Sequence, residues 1–149
     1  MDGEWPLNAL SVARGVQRLL YARGYAPLTE FILPDGARLD VAALGSSGDV
    51  LAVEIKVSLA DLRGDRKWPG YLDYCETFYF AVPVGFPLDA VPSAPGLIVA
   101  DRYGAEIVRE SPRVALAPAR RKALTLSFAR TAAQRVLRTA DPEGVALIG

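Results

Sequence analysis

The chain has 149 residues, 51% of them hydrophobic, and its 17 basic side chains balance 17 acidic ones; that is one domain's worth of chain with enough apolar material for a single core. It has no histidine and one cysteine, Cys75, which excludes Ser-His and Cys-His nucleophile pairs, His-ligated zinc, an intramolecular disulfide and any cysteine cluster for zinc or iron and sulfur. Whatever chemistry the chain performs runs on carboxylates, Lys, Arg, Ser or Tyr, with or without a hard cation that takes oxygen ligands.

No apolar run approaches the length of a membrane span, and Met1, Asp2, Gly3 and Glu4 lack the basic and apolar stretches of a signal peptide. A soluble, cytoplasmic chain with no membrane partner is expected. In chain order, Ala9, Val12, Ala13, Val16, Leu19 and Leu20 recur at helical spacing between Pro6 and Gly24, predicting a helix over 7–23. Three strands follow, Leu28–Leu33, Arg38–Leu44 and Val50–Val57, separated by short turn signals and so forming an antiparallel meander. Ser58 and Asp61 have the spacing of a helix cap for a second helix from Leu59, interrupted around Trp68, Pro69 and Gly70 and resuming over Tyr71–Glu76. A fourth strand is predicted at Thr77–Val82, then a hairpin of Leu97–Ala100 and Ala105–Arg109 turning through Asp101–Gly104, a helix over 119–139 and a tail over 141–149. The order predicts an α/β fold with a mixed sheet covered by helices, in a single domain over 1–149 with its core over about 7–110 and a basic C-terminal helix over about 119–139. Residues 111–140 carry seven basic side chains and no acid.

The third strand holds two charges that an apolar run would not ordinarily contain. Glu54 and Lys56 lie two apart, so they point to the same face, and that face must be solvated, paired or occupied by an ion, because unpaired buried charge is costly. If the turn after Leu44 has an odd number of residues, Leu44 pairs with Val50 and Asp40 lies directly opposite Glu54. Opposed side chains have Cβ atoms about 4.5 to 5.5 Å apart, close enough for two carboxylates to share a proton or a cation. A four-residue turn would instead put the two acids on opposite faces. Two carboxylates suit Mg2+ or Mn2+, with the Ile55 carbonyl as a further ligand, and Lys56 beside them could orient or deprotonate water or offset charge on a phosphorus centre. The alternative is a closed salt bridge of Glu54 with Lys56 or Arg38.

These residues are similar to a known signature. Asp40 followed by Glu54-Ile55-Lys56 resembles the Asp…(Asp/Glu)-x-Lys pattern of the PD-(D/E)xK, restriction-endonuclease-like nucleases, with Arg38-Leu39 standing where that signature has its proline. More closely, Arg38–Val41, Val53–Lys56, Asp65–Cys75, Phe78–Pro83, Gly96–Asp101 and Ala117–Arg121 resemble the MmcB-like DNA repair protein family, and the likeness covers nearly the whole chain. The resemblance implies a restriction-endonuclease-like core of helix, three strands, helix and strand, with an added β-hairpin and a C-terminal helix. It also implies Asp40 and Glu54 as ligands of Mg2+ or Mn2+, Lys56 as the catalytic or phosphate-orienting cation, and DNA, damaged or branched, as the partner; the near-neutral net charge adds a homodimer or a second repair protein as candidate further partners.

Glu30 in the first strand is a candidate additional acid, or else an exposed strand residue. Arg63, Arg66 and Lys67 are candidate phosphate contacts, Tyr71 and Tyr74 candidate stacking residues, and Arg120 and Arg121 further nucleic-acid contacts. Trp68 reads as a helix anchor, Cys75 as a buried apolar residue, Asp61 and Asp65 as capping and local pairing, and Arg14 and Arg18 as a solvated face. Three functions follow: a metal-dependent deoxyribonuclease acting in DNA repair, a structure-selective DNA-binding module that does not cut, and, most weakly, a Ser/Lys hydrolase using Ser58 and Lys56.

Overall fold

The computed structural model describes residues 8–148. Its helices are α1 (Ala9–Ala22), α2 (Leu59–Gly64), α3 (Trp68–Tyr71), α4 (Pro118–Ala140) and α5 (Pro142–Ile148), and its strands are β1 (Ala26–Ile32), β2 (Arg38–Leu44), β3 (Val50–Ile55), β4 (Thr77–Pro83), β5 (Gly96–Ala100) and β6 (Ala105–Arg109). All six strands form one sheet in chain order. β1, β2 and β3 are the expected antiparallel meander, β3, β4 and β5 run parallel, and β6 turns back antiparallel on β5.

Two differences from the sequence reading have local causes. The second helical region breaks earlier than Trp68, at Asp65–Lys67, because Asp65 Oδ1 accepts the N–H groups of Lys67 and Trp68 and so starts a new turn; Pro69 then sits in the first turn of α3, where a missing N–H costs nothing. The C-terminal tail is not irregular: Asp141 Oδ1 accepts the Gly144 N–H and Pro142 opens α5.

One face of the sheet packs against α1 through Val12, Val16 and Leu20 on Val41, Val53, Ala81 and Ile98. Gly15 makes this approach possible, since a Cβ there would collide with the carbonyl oxygens of Asp101 and Gly104. The other face is covered by Leu62, Tyr71, Leu124 and Phe128 over Phe31, Ala52, Phe78 and Phe80. Trp68 stacks on Phe78 and meets Phe80 edge-on, which is the anchoring role its sequence context suggests.

Four of the seven cations of the basic C-terminal segment engage groups of the preceding chain. Arg113 pairs with Asp49 and Glu76, Arg121 lies 3.0 Å from Glu76 and donates to the Gly48 carbonyl, Arg120 donates to the Asp73 carbonyl over the Tyr74 ring, and Arg135 donates to the Glu30 carbonyl. Arg14 and Arg18 are exposed as expected, and Arg18 also donates to the Arg102 and Tyr103 carbonyls. Because Phe128 is buried against Phe31 while Arg135 reaches across the surface, Phe128→Ala is expected to lower stability by about 3 kcal/mol and Arg135→Ala by under about 1 kcal/mol in denaturant melts.

Candidate functional site

The turn Gly45–Asp49, with Gly48 at φ 86° where a side chain would be strained, pairs Leu44 with Val50 and Val41 with Val53. One pair further along, this register sets Asp40 opposite Glu54. There the ladder changes character. The Asp40 N–H donates to Glu54 Oε1 at 3.0 Å, and the Ile55 N–H donates to Asp40 Oδ2 at 2.7 Å. Each strand's backbone donates to the other strand's carboxylate, so the acids converge. Of the two registers open from the sequence, the molecule adopts the one that builds a site.

Glu54 is only 5% exposed. Its burial, followed by the negative charge of Asp40, pushes its carboxyl up to about 8, and burial raises Asp40 as well against the opposing Ile55 N–H. Two desolvated carboxyls in contact hold a proton between them near neutral pH unless a cation replaces it.

Lys56 is 6% exposed, with Nζ 2.7 Å from Asp65 Oδ2 and 3.7 Å from Asp61 Oδ1. Burial pulls its pKa down, but the bond to Asp65 and the charges of Asp61, Asp65 and Glu54 outweigh it and hold the ammonium above its ordinary value. Lys56 is therefore held as a cation, the state that suits orienting a phosphate. The same protonation leaves Ser58 without a base, and Ser58 Oγ is spent on capping α2 through the Asp61 N–H. The closed salt bridges considered from the sequence are not those formed: Lys56 pairs with Asp61 and Asp65, and Arg38 with Glu30. Asp61 and Asp65, which sequence reasoning assigned only to capping and local pairing, thus also hold the Lys56 ammonium.

Two clefts meet at Glu54, Lys56 and Asp61. One, about 390 Å³, runs under α2 and α3 and is also lined by Asp65, Lys67 and Tyr71; the other, about 510 Å³, runs toward α1 and β1 and is also lined by Leu10, Thr29, Glu30, Asp40 and Ile55. Lys67 is exposed at its wall, and Arg63 and Arg66 are exposed on the same α2–α3 segment. Tyr71 lines it too, but its ring is buried against Phe78 and is not free to stack on a base.

Glu30 holds the register position opposite Asp40, between the pairs Thr29–Val41 and Phe31–Leu39. It has φ 50°, uncommon for a residue with a side chain, and its carboxylate lies 3.9 Å from Arg38 rather than on the acid pair. Among the described residues, no group of three Asp, Glu, His or Cys side chains is arranged to hold a metal. Tyr74, Arg120 and Arg121 stand at the other end of the sheet, near the Gly45–Asp49 turn, engaged with one another, with Asp73 and with Glu76; the structure does not bring them to Glu54. Cys75 is buried and its thiol pushed up to about 12 by that burial, consistent with an inert apolar role.

A family model described as DNA repair protein MmcB-like matches residues 1–143. The fold is similar to that of a solved protein of unknown function from Silicibacter pomeroyi, with 45% sequence identity, a TM-score of 0.89, and 94% of this chain and 97% of that chain covered. No curated protein matches the chain. No helix of the described residues is long and apolar enough to cross a membrane.

Between about pH 4.5 and pH 8 the folded protein retains a proton on Glu54 that the unfolded chain releases, so this group's contribution to stability is fully present below that window and is lost as pH rises through it. Thermal melts of wild type are expected to fall from pH 5 to pH 8 relative to Glu54→Gln, which should melt higher at pH 8, at roughly 2–4 °C for each kcal/mol relieved. Parallel pH profiles for the two proteins would contradict the shared proton.

Proposed function

Because the chain belongs to the MmcB-like family of DNA repair proteins, we propose that it is a divalent-metal-dependent deoxyribonuclease whose centre is the Asp40–Glu54 pair. The observation that carries this reading is the convergence of two desolvated carboxyls on one proton's worth of space beside a buried ammonium. The donor set fits Mg2+ or Mn2+, which are commonly held by one or two carboxylates with the remaining positions left to water and substrate phosphate. Asp40, Glu54 and the Ile55 carbonyl would hold such an ion, and the ion would supply polarisation of a phosphodiester.

The protein's own groups do the rest. Lys56, kept protonated by Asp65 and Asp61, offers a fixed positive charge beside the acid pair, where it stabilises negative charge growing on phosphorus oxygens. Asp65 ties that ammonium to the turn opening α3 through Oδ1, so Lys67 and Lys56 are held in one frame. Arg63, Arg66 and Lys67 contribute phosphate contacts that set the strand's path and are sensitive to salt. One observation favours the non-cleaving alternative: the ammonium is already occupied by a carboxylate at 2.7 Å, a contact that a phosphate would have to displace.

Asp40→Ala, Glu54→Ala and Lys56→Ala are each expected to abolish Mn2+-dependent cleavage of labelled DNA, at least 100-fold by gel assay, while remaining folded by circular dichroism. Wild-type-like cleavage by any of the three refutes the assignment, and wild type that binds but yields no product in Mn2+ selects the non-cleaving reading. Since an ion must displace the proton held by Glu54, Mn2+ affinity measured by calorimetry should rise with pH below about 8, by up to tenfold per unit, with proton release, and Glu54→Gln should remove that dependence.

A further inference from the structure

The two clefts that meet at Glu54 have different chemistry. The one under α2 and α3 is ionic, with Lys56, Asp61, Asp65 and Lys67 on its walls and Arg63 and Arg66 exposed on the same segment. The one toward α1 shares Glu54, Lys56 and Asp61 with the first and also touches Asp40, but its outer part is walled by Ala9, Leu10 and Ala13, with Ile55 beside them and Thr29 and Glu30 in β1. Beyond the shared Lys56, a phosphate is poorly served in that outer part, with aliphatic side chains on one side and the Glu30 carboxylate on the other. A flat group with apolar faces and a polar edge is well served. At about 510 Å³ the cleft lies in the range of ligand-sized sites, and Leu10, 63% exposed in the first turn of α1, offers an apolar contact at its rim.

Resting on the DNA reading above, we propose that the α1-side cleft is a nucleobase subsite, so that the centre acts on a strand whose base is unpaired. With a phosphate at the Asp40–Glu54 pair and neighbouring phosphates following Lys67, Arg66 and Arg63, the strand's base falls on the opposite side of Glu54, against Leu10 and Ala9. The free cations and the aliphatic walls lie on opposite flanks of the acid pair, and a nucleotide has the same division between phosphate and base. A base inside a duplex is stacked and paired and reaches such a cleft only after extrusion. Single strands, flaps and flipped-out nucleotides are therefore the substrate class, and Glu30 and Thr29 face the base's polar edge.

The test is fluorescence anisotropy with the full chain in Ca2+, offered in place of Mn2+ as an oxygen-seeking ion to seat the phosphate at the acid pair, with gels run alongside to confirm intact probes, using three probes of equal length: oligothymidine, the same strand with abasic residues, and a duplex. Oligothymidine is expected to bind roughly five- to tenfold more tightly than the other two. Ala9→Trp, which fills the cleft from an exposed position, and Leu10→Asp should erase that margin while leaving duplex affinity unchanged and the thermal melt within a few degrees of wild type. Equal affinity of wild type for the three probes, or a margin that survives both substitutions, overturns the subsite. Failure to bind any probe overturns the subsite and the DNA reading together. The stated margin with no product in Mn2+ supports the subsite and overturns cleavage alone.

Discussion

Asp40 and Glu54 meet where the β2–β3 ladder passes from bonds between backbones to bonds between backbone and carboxylate, and that exchange governs the rest of the site. Each acid is fixed by the other strand's N–H, so neither can swing away to solvent to relieve the repulsion. Burial then makes full ionisation of both expensive, and the pair must take up positive charge in some form. Lys56 does not supply it by direct contact, because Asp65 holds its ammonium from the other side. The pair is thus left open to an exchangeable cation, while its neighbour is a permanent one.

The C-terminal segment shows how charge placement and charge count differ. Seven cations without an acid over 111–140 invite a reading as a nucleic-acid surface. In the molecule, Arg113, Arg120, Arg121 and Arg135 instead bind carboxylates and carbonyls of the first 110 residues, where acids exceed bases. The segment is the complement of the rest of its own chain, and the exposed cations near the acid pair are those of the α2–α3 region.

Much of the fold was legible because its signals are local. The 3.6-residue recurrence of α1, the meander turns, the Asp101–Gly104 hairpin and the Ser58 cap all appear within a few residues of their expected places. The acid pair was legible as a conditional, since the strand period fixes which residues share a face once the turn's length is known. The inward use of α4 was also written in the sequence: Arg121, Leu124, Phe128, Ala132 and Arg135 recur at helical spacing, so the two arginines share a face with the buried Leu124 and Phe128. A composition window averages over that periodicity and hides it. Asp65 was harder, because its partner Lys56 lies nine positions back across a helix whose path no local pattern specifies. Glu30 could be placed in a strand but not given its φ of 50° or the bond its carbonyl accepts from Arg135, more than a hundred positions later.

The five-residue reversal joining β2 to β3 acts as a parity switch. Gaining or losing two residues there would lengthen or shorten the loop and keep both acids on one side. Gaining or losing one would rotate Asp40 to the far side of the sheet while every hydrophobic contact outside that strand stayed available. Among kindred chains, a reversal of even length would mark a copy that has kept the scaffold and parted the two acids, a distinction readable by counting residues between two strands.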